Sequence, residues 1–383
     1  MGKPPESVLF LLSRVLGGKT FSNQVMRVVE TLEHIRPHYV FMEEDDYGRH
    51  RGRVPFLNRM AGMFVAPSIM RWKLRADPPP PHRAVFVQSF ELLPACSVLD
   101  PATPAILAHD STNVLSYRLI RDTRPGPMAG LACAVKSALV TPAYRAGLKR
   151  AKVFLPRTRW CADSLVQDFR VDPERIIVTP GGLDTEAWSP APEGGRDEIP
   201  RVPPRLIPRL LFVGNDFARK GGELLLEAFV RHVHPRATLR IVSNDPRLKG
   251  RSWPAGVEHI AGLGQGQAQA MVENYRSSDI FVFPTRKDHL GLVLIEACAV
   301  GLPILASDVG GVPEAVRADE NGLLLPLEAD AGAWAAAILA LIRDPGKRAR
   351  YGRRSREIAE SEFSSRALRS KLETAFARLA FAS

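Results

Sequence analysis

The sequence predicts an α/β fold of two Rossmann-like, doubly wound domains, and three observations carry that prediction. The first is the stretch Phe281 to Pro326, FVFPTRKDHLGLVLIEACAVGLPILASDVGGVPEAVRADENGLLLP. In it a buried strand, a polar loop and a glycine-started helix are followed by a second strand and a second glycine-started helix. Two consecutive strand-to-helix crossovers of this kind belong to one parallel sheet. The second observation is that strand, glycine pair and helix also succeed one another from Val8 to Ile35 and from Arg209 to Val233. The third is the run Ser189 to Pro208, SPAPEGGRDEIPRVPPRLIP, rich in Pro, Gly and charge as inter-domain linkers are.

At 383 residues the chain is long enough for two domains, each with its own core. The net charge of +11 is uneven, because residues 51–160 hold 17 Lys and Arg against 5 Asp and Glu. Two readings stand for that excess: an acidic partner (nucleic acid, anionic lipid or a phosphorylated substrate), or an ordinary solvated surface. Cys96, Cys133, Cys161 and Cys298 lie far apart with no C-x-x-C pair, which suggests neither a zinc site nor a disulfide framework. Buried thiols in a reducing cytosol are expected. The N-terminus lacks the small-residue cleavage site of a signal peptide, and no apolar run is long enough to span a bilayer. The chain is therefore expected to be cytoplasmic, free or held on a membrane surface.

Along the first half, Val8 to Leu12 reads as a buried strand and Leu16-Gly17-Gly18-Lys19-Thr20 as the loop after it. Asn23 to Ile35 reads as an amphipathic helix with Val25, Val28, Val29 and Leu32 inward. Gly18-Lys19-Thr20 also matches the end of a P-loop, and Tyr39 to Glu44 resembles a strand ending in acidic residues, but Ser13 stands where a P-loop needs its first glycine. Residues 45–83 read as an irregular insertion. Within them Arg59 to Arg75, RMAGMFVAPSIMRWKLR, mixes apolar and cationic residues around Pro67, which fits a membrane interface, a lipid acceptor or a packed loop. Residues 121–150 are a second basic and apolar segment. Ala84 to Gln88 and Ala105 to Ala108 are short strands, and His109 falls at a strand's carboxyl end, where open α/β sheets bind ligands. Ala151 to Leu155 reads as a strand, Ala162 to Phe169 as a helix and Arg175 to Val178 as a further strand.

The second half opens with the strand Arg209 to Val213, then Gly214-Asn215-Asp216-Phe217-Ala218-Arg219-Lys220-Gly221-Gly222 and the helix Glu223 to Val233. Lys220 offers a point charge and Arg219 a fork of donors beside a glycine pair, as a phosphate site needs. Strands Thr238 to Val242 and Val257 to Ala261 follow. Gly262-Leu263-Gly264-Gln265-Gly266 then opens the helix Ala268 to Arg276, without the acidic residue that a dinucleotide fingerprint requires. After strand Phe281 to Phe283, Pro284 ends the ladder and Asp288 lies in a polar loop. Glu296 falls about a turn and a half inside the helix Gly291 to Val300. The amides of Leu290, Gly291 and Leu292 are predicted to be unpaired and to point at the positive dipole end, which suits a phosphate. The two carboxylates suit sugar or ribose hydroxyls. Beyond Ala331 the chain reads as helices Trp334 to Ile342, Lys347 to Glu360 and Ser364 to Leu379.

Asp288 and Glu296, the ends of a D-x7-E run followed by GLPILASDVGGVPE and NGLLLP, resemble the donor-binding signature of retaining glycosyltransferases of the GT-B fold, family 4. The resemblance continues through Leu210 to Phe229 and, weakly, through the N-terminal half. It implies two domains facing across a cleft: an acceptor-side domain over 1–188, a linker over 189–208, a nucleotide-sugar domain over 209–363 and a helix over 364–383 returning to the first. It implies retaining transfer of a sugar from a nucleoside-diphosphate sugar to a hydroxyl of a lipid or glycan, with no metal or other cofactor. Lys220 matches the family lysine. Asn215 stands, after Gly214, where the family has arginine, and Arg219 is offered as its replacement. Asp288 is one methylene shorter than the family glutamate that holds the sugar. By the same resemblance Glu296 accepts the ribose hydroxyls and His109 approaches the donor sugar. Gly17 and Gly18 face the donor phosphates, and the loop of Gly264 lies against the base.

Two other classes remain open: a P-loop nucleotide-binding protein built on Gly18-Lys19-Thr20, and a nucleic-acid-binding module using the charge of 51–160. Neither accounts for the second half of the chain. Nucleic acid is therefore the less favoured partner, and an anionic membrane surface the more favoured one.

Overall fold

In a computed structural model of the chain, the residues described are 4–15, 18–46, 62–123, 135, 141, 144–145, 147–190, 207–263 and 266–379. They form two compact units, Met1–Gly182 with Ser365–Ser383, and Leu183–Ser364.

The first unit holds five parallel strands, β1 (Glu6–Ser13), β2 (Ile35–Met42), β3 (Ala84–Gln88), β4 (Ala105–His109) and β5 (Ala151–Pro156), in the order β2-β1-β3-β4-β5. Successive side chains of a strand point to opposite faces, so a continuous apolar run requires cover on both. Val8, Phe10 and Leu12 pack with Phe21, Val25 and Val29 of the helix Gly18–Val29 and with Leu368, Leu372 and Phe376 of the C-terminal helix Ser365–Arg378. Leu9 and Leu11 pack on the other face with Ile69, Met70 and Leu74 of the helix Gly62–Ala76.

The second unit holds β6 (Arg209–Val213), β7 (Thr238–Val242), β8 (Val257–Ile260), β9 (Ile280–Phe283), β10 (Ile304–Ser307) and β11 (Gly322–Leu325), all parallel, in the order β11-β10-β9-β6-β7-β8. Phe281 and Phe283 face the helix Leu292–Val300, whereas Ile280 and Val282 pack with Trp334, Ile338 and Tyr351. The chain winds outward from β6 in one direction and from β9 in the other. That reversal between β6 and β9 is the topological switch point of a doubly wound sheet, where the loops after the two strands part and leave a crevice. Leu183 is the first residue of this unit; its amide donates to the Phe363 carbonyl at 2.8 Å, and Arg356 Nη1 holds the carbonyls of Thr185 and Trp188.

The doubly wound, two-domain expectation holds, with four local corrections. The first helix spans Gly18–Val29 rather than Asn23 to Ile35, and Ile35 already belongs to β2. Residues 62–76, read as irregular, are helical: Ala66, Ile69, Met70 and Leu74 recur at helical spacing and are buried, which offsets the hydrogen bond lost at Pro67. Arg175 to Val178 is not a strand. Asp172 caps a short 3₁₀ turn over Pro173–Arg175, and Ile176 makes only an isolated bridge to Phe154. The 3₁₀ segment Phe90–Val98, the helix Asn113–Thr123 and β11 were not anticipated.

Candidate functional site

The site grows from the loops that leave β6 and β9. Leu210 to Val213 is buried and ends at Gly214, where a Cβ would sit 3.0 Å from Lys220 Cγ, so the loop folds back over its own start. The Lys220 amide donates to the Asp216 carbonyl at 2.9 Å, turning the chain so that the lysine side chain lies over β9. Its ammonium stands 4.9 Å from the centre of the Phe283 ring and pairs with Asp288 Oδ2. Both side chains are largely buried, at 15% and 13% exposure, so this is a partly desolvated pair rather than a surface contact.

Arg219 joins the same two loops. Its carbonyl accepts from the Arg286 amide at 2.9 Å, its Nη1 donates to the Lys287 carbonyl at 2.7 Å, and its Nε donates to Asp216 Oδ2 at 2.8 Å. Asp216 is held in turn by Arg247, 2.8 Å away, and Arg247 is anchored on buried Asp245, which also accepts from the Phe217 amide. These guanidinium contacts hold the Asp216 carboxyl below its usual range against a desolvation that acts the other way, and Asp245 lower still. Arg219 thus clamps the loop with two of its donors, while Nη2 meets no partner among the described residues. Asn215 does not reach into that clamp. Its Oδ1 accepts from the Asn244 amide at 3.0 Å, and the Asn244 side chain ties Gly262 and Leu263, so the loop after β8 is strapped to the loop after β6.

On the β9 side, Thr285 is fully buried and its hydroxyl meets the Lys287 carbonyl at 3.1 Å. Gly291, at φ 79° and ψ 95°, turns the chain into the helix Leu292–Val300 without a side-chain cap. None of the amides of Leu290, Gly291 and Leu292 donates to a backbone carbonyl among the described residues. Unpaired donors at the positive end of a nine-residue helix suit an anion. One turn further, Glu296 is half-buried, and its Oε2 accepts from the Tyr275 hydroxyl at 2.7 Å. Burial pushes its carboxyl up to about 7, although the tyrosine hydrogen bond works in the opposite direction.

Of the residues picked from sequence, the structure therefore brings Lys220, Arg219, Asp288, Leu290, Gly291, Leu292 and Glu296 to one switch point, with Gly214 and Asn215 in the adjoining loop. Gly17 and Gly264 lie outside the described residues. In the first unit Gly18 starts a helix and packs on Ser13, whose carbonyl oxygen would lie 2.8 Å from a Cβ there. Gln88 Nε2 donates to the Gly18 carbonyl at 2.9 Å, and the Ser22 hydroxyl lies 2.6 Å from Gln88 Oε1 and 2.9 Å from the same carbonyl, with one proton for the two. His109 ends β4 and is 3% exposed, with its ring 5.1 Å from Phe90 and both ring nitrogens unpartnered among the described residues. Burial lowers it to about 4 despite Asp110 beside it, so the imidazole is neutral at physiological pH. Sequence reasoning missed Tyr275, Asp216, Asn244 and the Asp245–Arg247 pair. Only the position of Asp216 within the glycine loop hinted at any of them.

Residues 206–358 match the family model for glycosyl transferases group 1. The D-inositol 3-phosphate glycosyltransferase of Rhodococcus jostii is 33% identical over 216 residues, which cover 52% of this chain and 47% of that protein. The chain thus spans about half the length of the curated relatives it matches. Sucrose-phosphate synthase from Thermosynechococcus elongatus superposes with a TM-score of 0.74 at 19% identity, covering 99% of this chain and 100% of that one. Anabaena HepE, solved in complex with UDP and glucose, superposes at 0.63 and 14% identity, over 97% of this chain and 99% of that one. Residues 206–358 thus carry the match to the glycosyl transferases group 1 family, on a chain whose two parallel sheets are those of the GT-B fold.

Proposed function

We propose that the chain transfers a sugar from a nucleoside-diphosphate sugar to a hydroxyl of a lipid-linked or glycan acceptor, with retention of configuration and without a metal ion. The observation that carries this reading is the meeting of Lys220, Asp288 and the free amides of Leu290 to Leu292 at the switch point of a glycosyl transferases group 1 domain. Departure of a nucleoside diphosphate builds negative charge on the leaving oxygens. Lys220, the open Nη2 of Arg219 and the helix start are fixed in place beforehand, so they stabilise that charge with little reorganisation. Glu296 takes the ribose hydroxyls and Asp288 the sugar hydroxyls, its carboxylate oriented by Lys220. His109 of the first unit is assigned to the donor sugar because its buried imidazole is neutral and ends a strand at the sheet's carboxyl edge. Gly18, with Gly17, is assigned to the donor phosphates, and Gly264 to the base.

HepE, solved with UDP and glucose, supports a nucleotide-linked donor. The comparisons favour this reading over a P-loop switch or a nucleic-acid module. For the acceptor, the helix Gly62–Ala76 exposes Trp72 at 61% and Arg75 beside it, which supports a lipid-linked or anionic acceptor at the inner face of a membrane, reached from the cytoplasm. No helix among the described residues is long and apolar enough to cross a membrane. The test is a thermal-shift screen of UDP, GDP and ADP and their sugars, followed by assay of donor turnover. A stabilising nucleotide whose sugar is consumed supports the reading; no response to any of them overturns it.

A further inference from the structure

We propose that Tyr275 is a positioning residue of the nucleotide site: its phenol grips one oxygen of the Glu296 carboxylate, so that the other is presented, ionised, to a ribose hydroxyl. The inference rests on the assignment of Glu296 to the ribose and deepens it.

Tyr275 is the penultimate residue of the helix Ala268–Arg276 and has no exposure. Its ring lies 5.6 Å from Phe281 in a stacked arrangement and 5.5 Å from Trp188 edge-on, so neither the ring nor its hydroxyl has freedom to wander. Phenylalanine would serve such an apolar setting equally well. A hydroxyl placed there is costly unless it is hydrogen-bonded, and the bond it makes is to Glu296 Oε2 at 2.7 Å, with the Val293 carbonyl a weaker alternative at 3.4 Å. Oε1 of Glu296 accepts from no group among the described residues. A rigid donor on one oxygen and an open second oxygen together make a pre-oriented acceptor.

The charge state follows from the same contact. Burial works against ionisation of Glu296, and the Tyr275 hydrogen bond works for it. Of the charged groups on elements packed against the helix Leu292–Val300, Arg276 beside Tyr275 donates to the Ser189 carbonyl and hydroxyl, Glu357 pairs with Arg354, and Glu273 and Arg353 are exposed. Arg356 of the helix Pro345–Ile358 donates to the Ala299 carbonyl and pairs with Glu360. Glu362 pairs with Arg317. The Cys298 thiol turns to the Ala315 carbonyl, and Glu314 on the short helix Val312–Ala315 has a partner of its own. Tyr275 is therefore the one side chain shown to favour the ionised form of this carboxyl, and removing its hydroxyl moves the carboxyl further up.

The experiment is calorimetric titration of the full chain with UDP, GDP and ADP from about pH 5.5 to about pH 8.5, a span around the raised carboxyl, comparing the wild type with Tyr275→Phe. In the wild type, affinity for the preferred nucleotide is expected to fall as pH drops through neutrality. In Tyr275→Phe, affinity at pH 7 is expected to fall roughly tenfold to a hundredfold, the loss associated with a hydrogen bond to a charged group, and the midpoint of the pH dependence is expected to move upward. Unchanged affinity and midpoint, or equal weakening at every pH, overturns the inference. In either case a continued loss in Glu296→Gln leaves the ribose assignment standing. No binding of any nucleotide to the wild type overturns that assignment and the inference with it. Should Tyr275→Phe not fold, incorporation of 3-fluorotyrosine supplies a stronger donor of nearly the same shape. It is expected to move the midpoint downward, and an unmoved midpoint overturns the inference.

Discussion

Gly221 lies so close to Pro284 that a Cβ on the glycine would fall 1.8 Å from the proline carbonyl oxygen. The backbones of the loops after β6 and β9 therefore touch, and this contact lets neighbouring Lys220 reach Asp288. Gly221 also has φ 81°, so an alanine there meets both backbone strain and a collision with main chain that cannot rotate away. Gly250 provides the control, since at φ 76° it has the same handedness but nothing within 4 Å of its Cβ position. Gly250→Ala is expected to cost only the left-handed penalty, about 1–2 kcal/mol. Gly221→Ala is expected to lower the melting temperature more and to reduce donor turnover. Equal melting temperatures and turnover in the two variants would separate the loop contact from the site.

Lys220→Ala tests the charge that the site places near the leaving diphosphate. Loss of one charge-assisted hydrogen bond, about 1.5–3 kcal/mol, is expected to slow turnover roughly tenfold to a hundredfold or more. The circular dichroism spectrum is expected to remain that of the wild type, because Lys220 sits at a loop end and outside the apolar clusters. Turnover within twofold of the wild type, about 0.4 kcal/mol, would remove this lysine from the reaction.

His109 and Glu296 shift in opposite directions over nearly the same pH range, and each has a separable effect on stability. His109 is lowered from 6.5 to about 4, so the stability it contributes is present above 6.5 and is lost as pH falls through the folded value. Glu296 is raised from 4.5 to about 7, so its contribution is present below 4.5 and is lost as pH rises through 7. Between those limits the two slopes largely cancel. Glu296→Gln is expected to steepen the loss of stability on acidification below about pH 6.5, by up to about 1.4 kcal/mol per pH unit. His109→Gln is expected to reverse the sign and leave stability falling as pH rises through 7. Chemical denaturation of the nucleotide-free protein at several pH values measures both, and parallel curves for the two variants would contradict the assigned shifts.

These residues also show how far a sequence can be read. Lys220, Asp288 and Glu296 were legible because strands covered on both faces leave continuous apolar runs. The ends of such runs locate the loops where a doubly wound sheet binds ligands. Tyr275 was not legible, since its helical spacing is that of a core residue and only the tertiary packing of two helices brings its hydroxyl to Glu296. The clamp from Asp245 through Arg247 and Asp216 to Arg219 joins loops after different strands, which no local spacing encodes. At 62–76 Pro67 outweighed a periodicity that was present in the sequence and that tertiary burial upheld.

The proposed attachment to an anionic membrane gives the last prediction. The helix Gly62–Ala76 turns Ala66, Ile69, Met70 and Leu74 into the first unit and leaves Trp72 and Arg75 exposed, an aromatic ring and a cation away from those four. Lys73 on the same helix is bound to Asp46 and to the Phe41 carbonyl, so it is discounted from the available charge. Each cation near an anionic leaflet contributes about 1 kcal/mol, so reversible attachment needs several to face the same way. Beside Lys73, residues 51–160 hold 16 Lys and Arg to draw them from. Flotation with phosphatidylserine-containing liposomes is expected to recover the protein at low salt. Recovery is expected to fall as the Debye length shrinks from about 10 Å at 0.1 M to about 3 Å at 1 M. Trp72→Ala is expected to weaken flotation at every salt concentration, because it removes buried apolar area rather than charge. Equal absence from neutral and anionic liposomes would return the charge to ordinary surface and point to a soluble sugar acceptor.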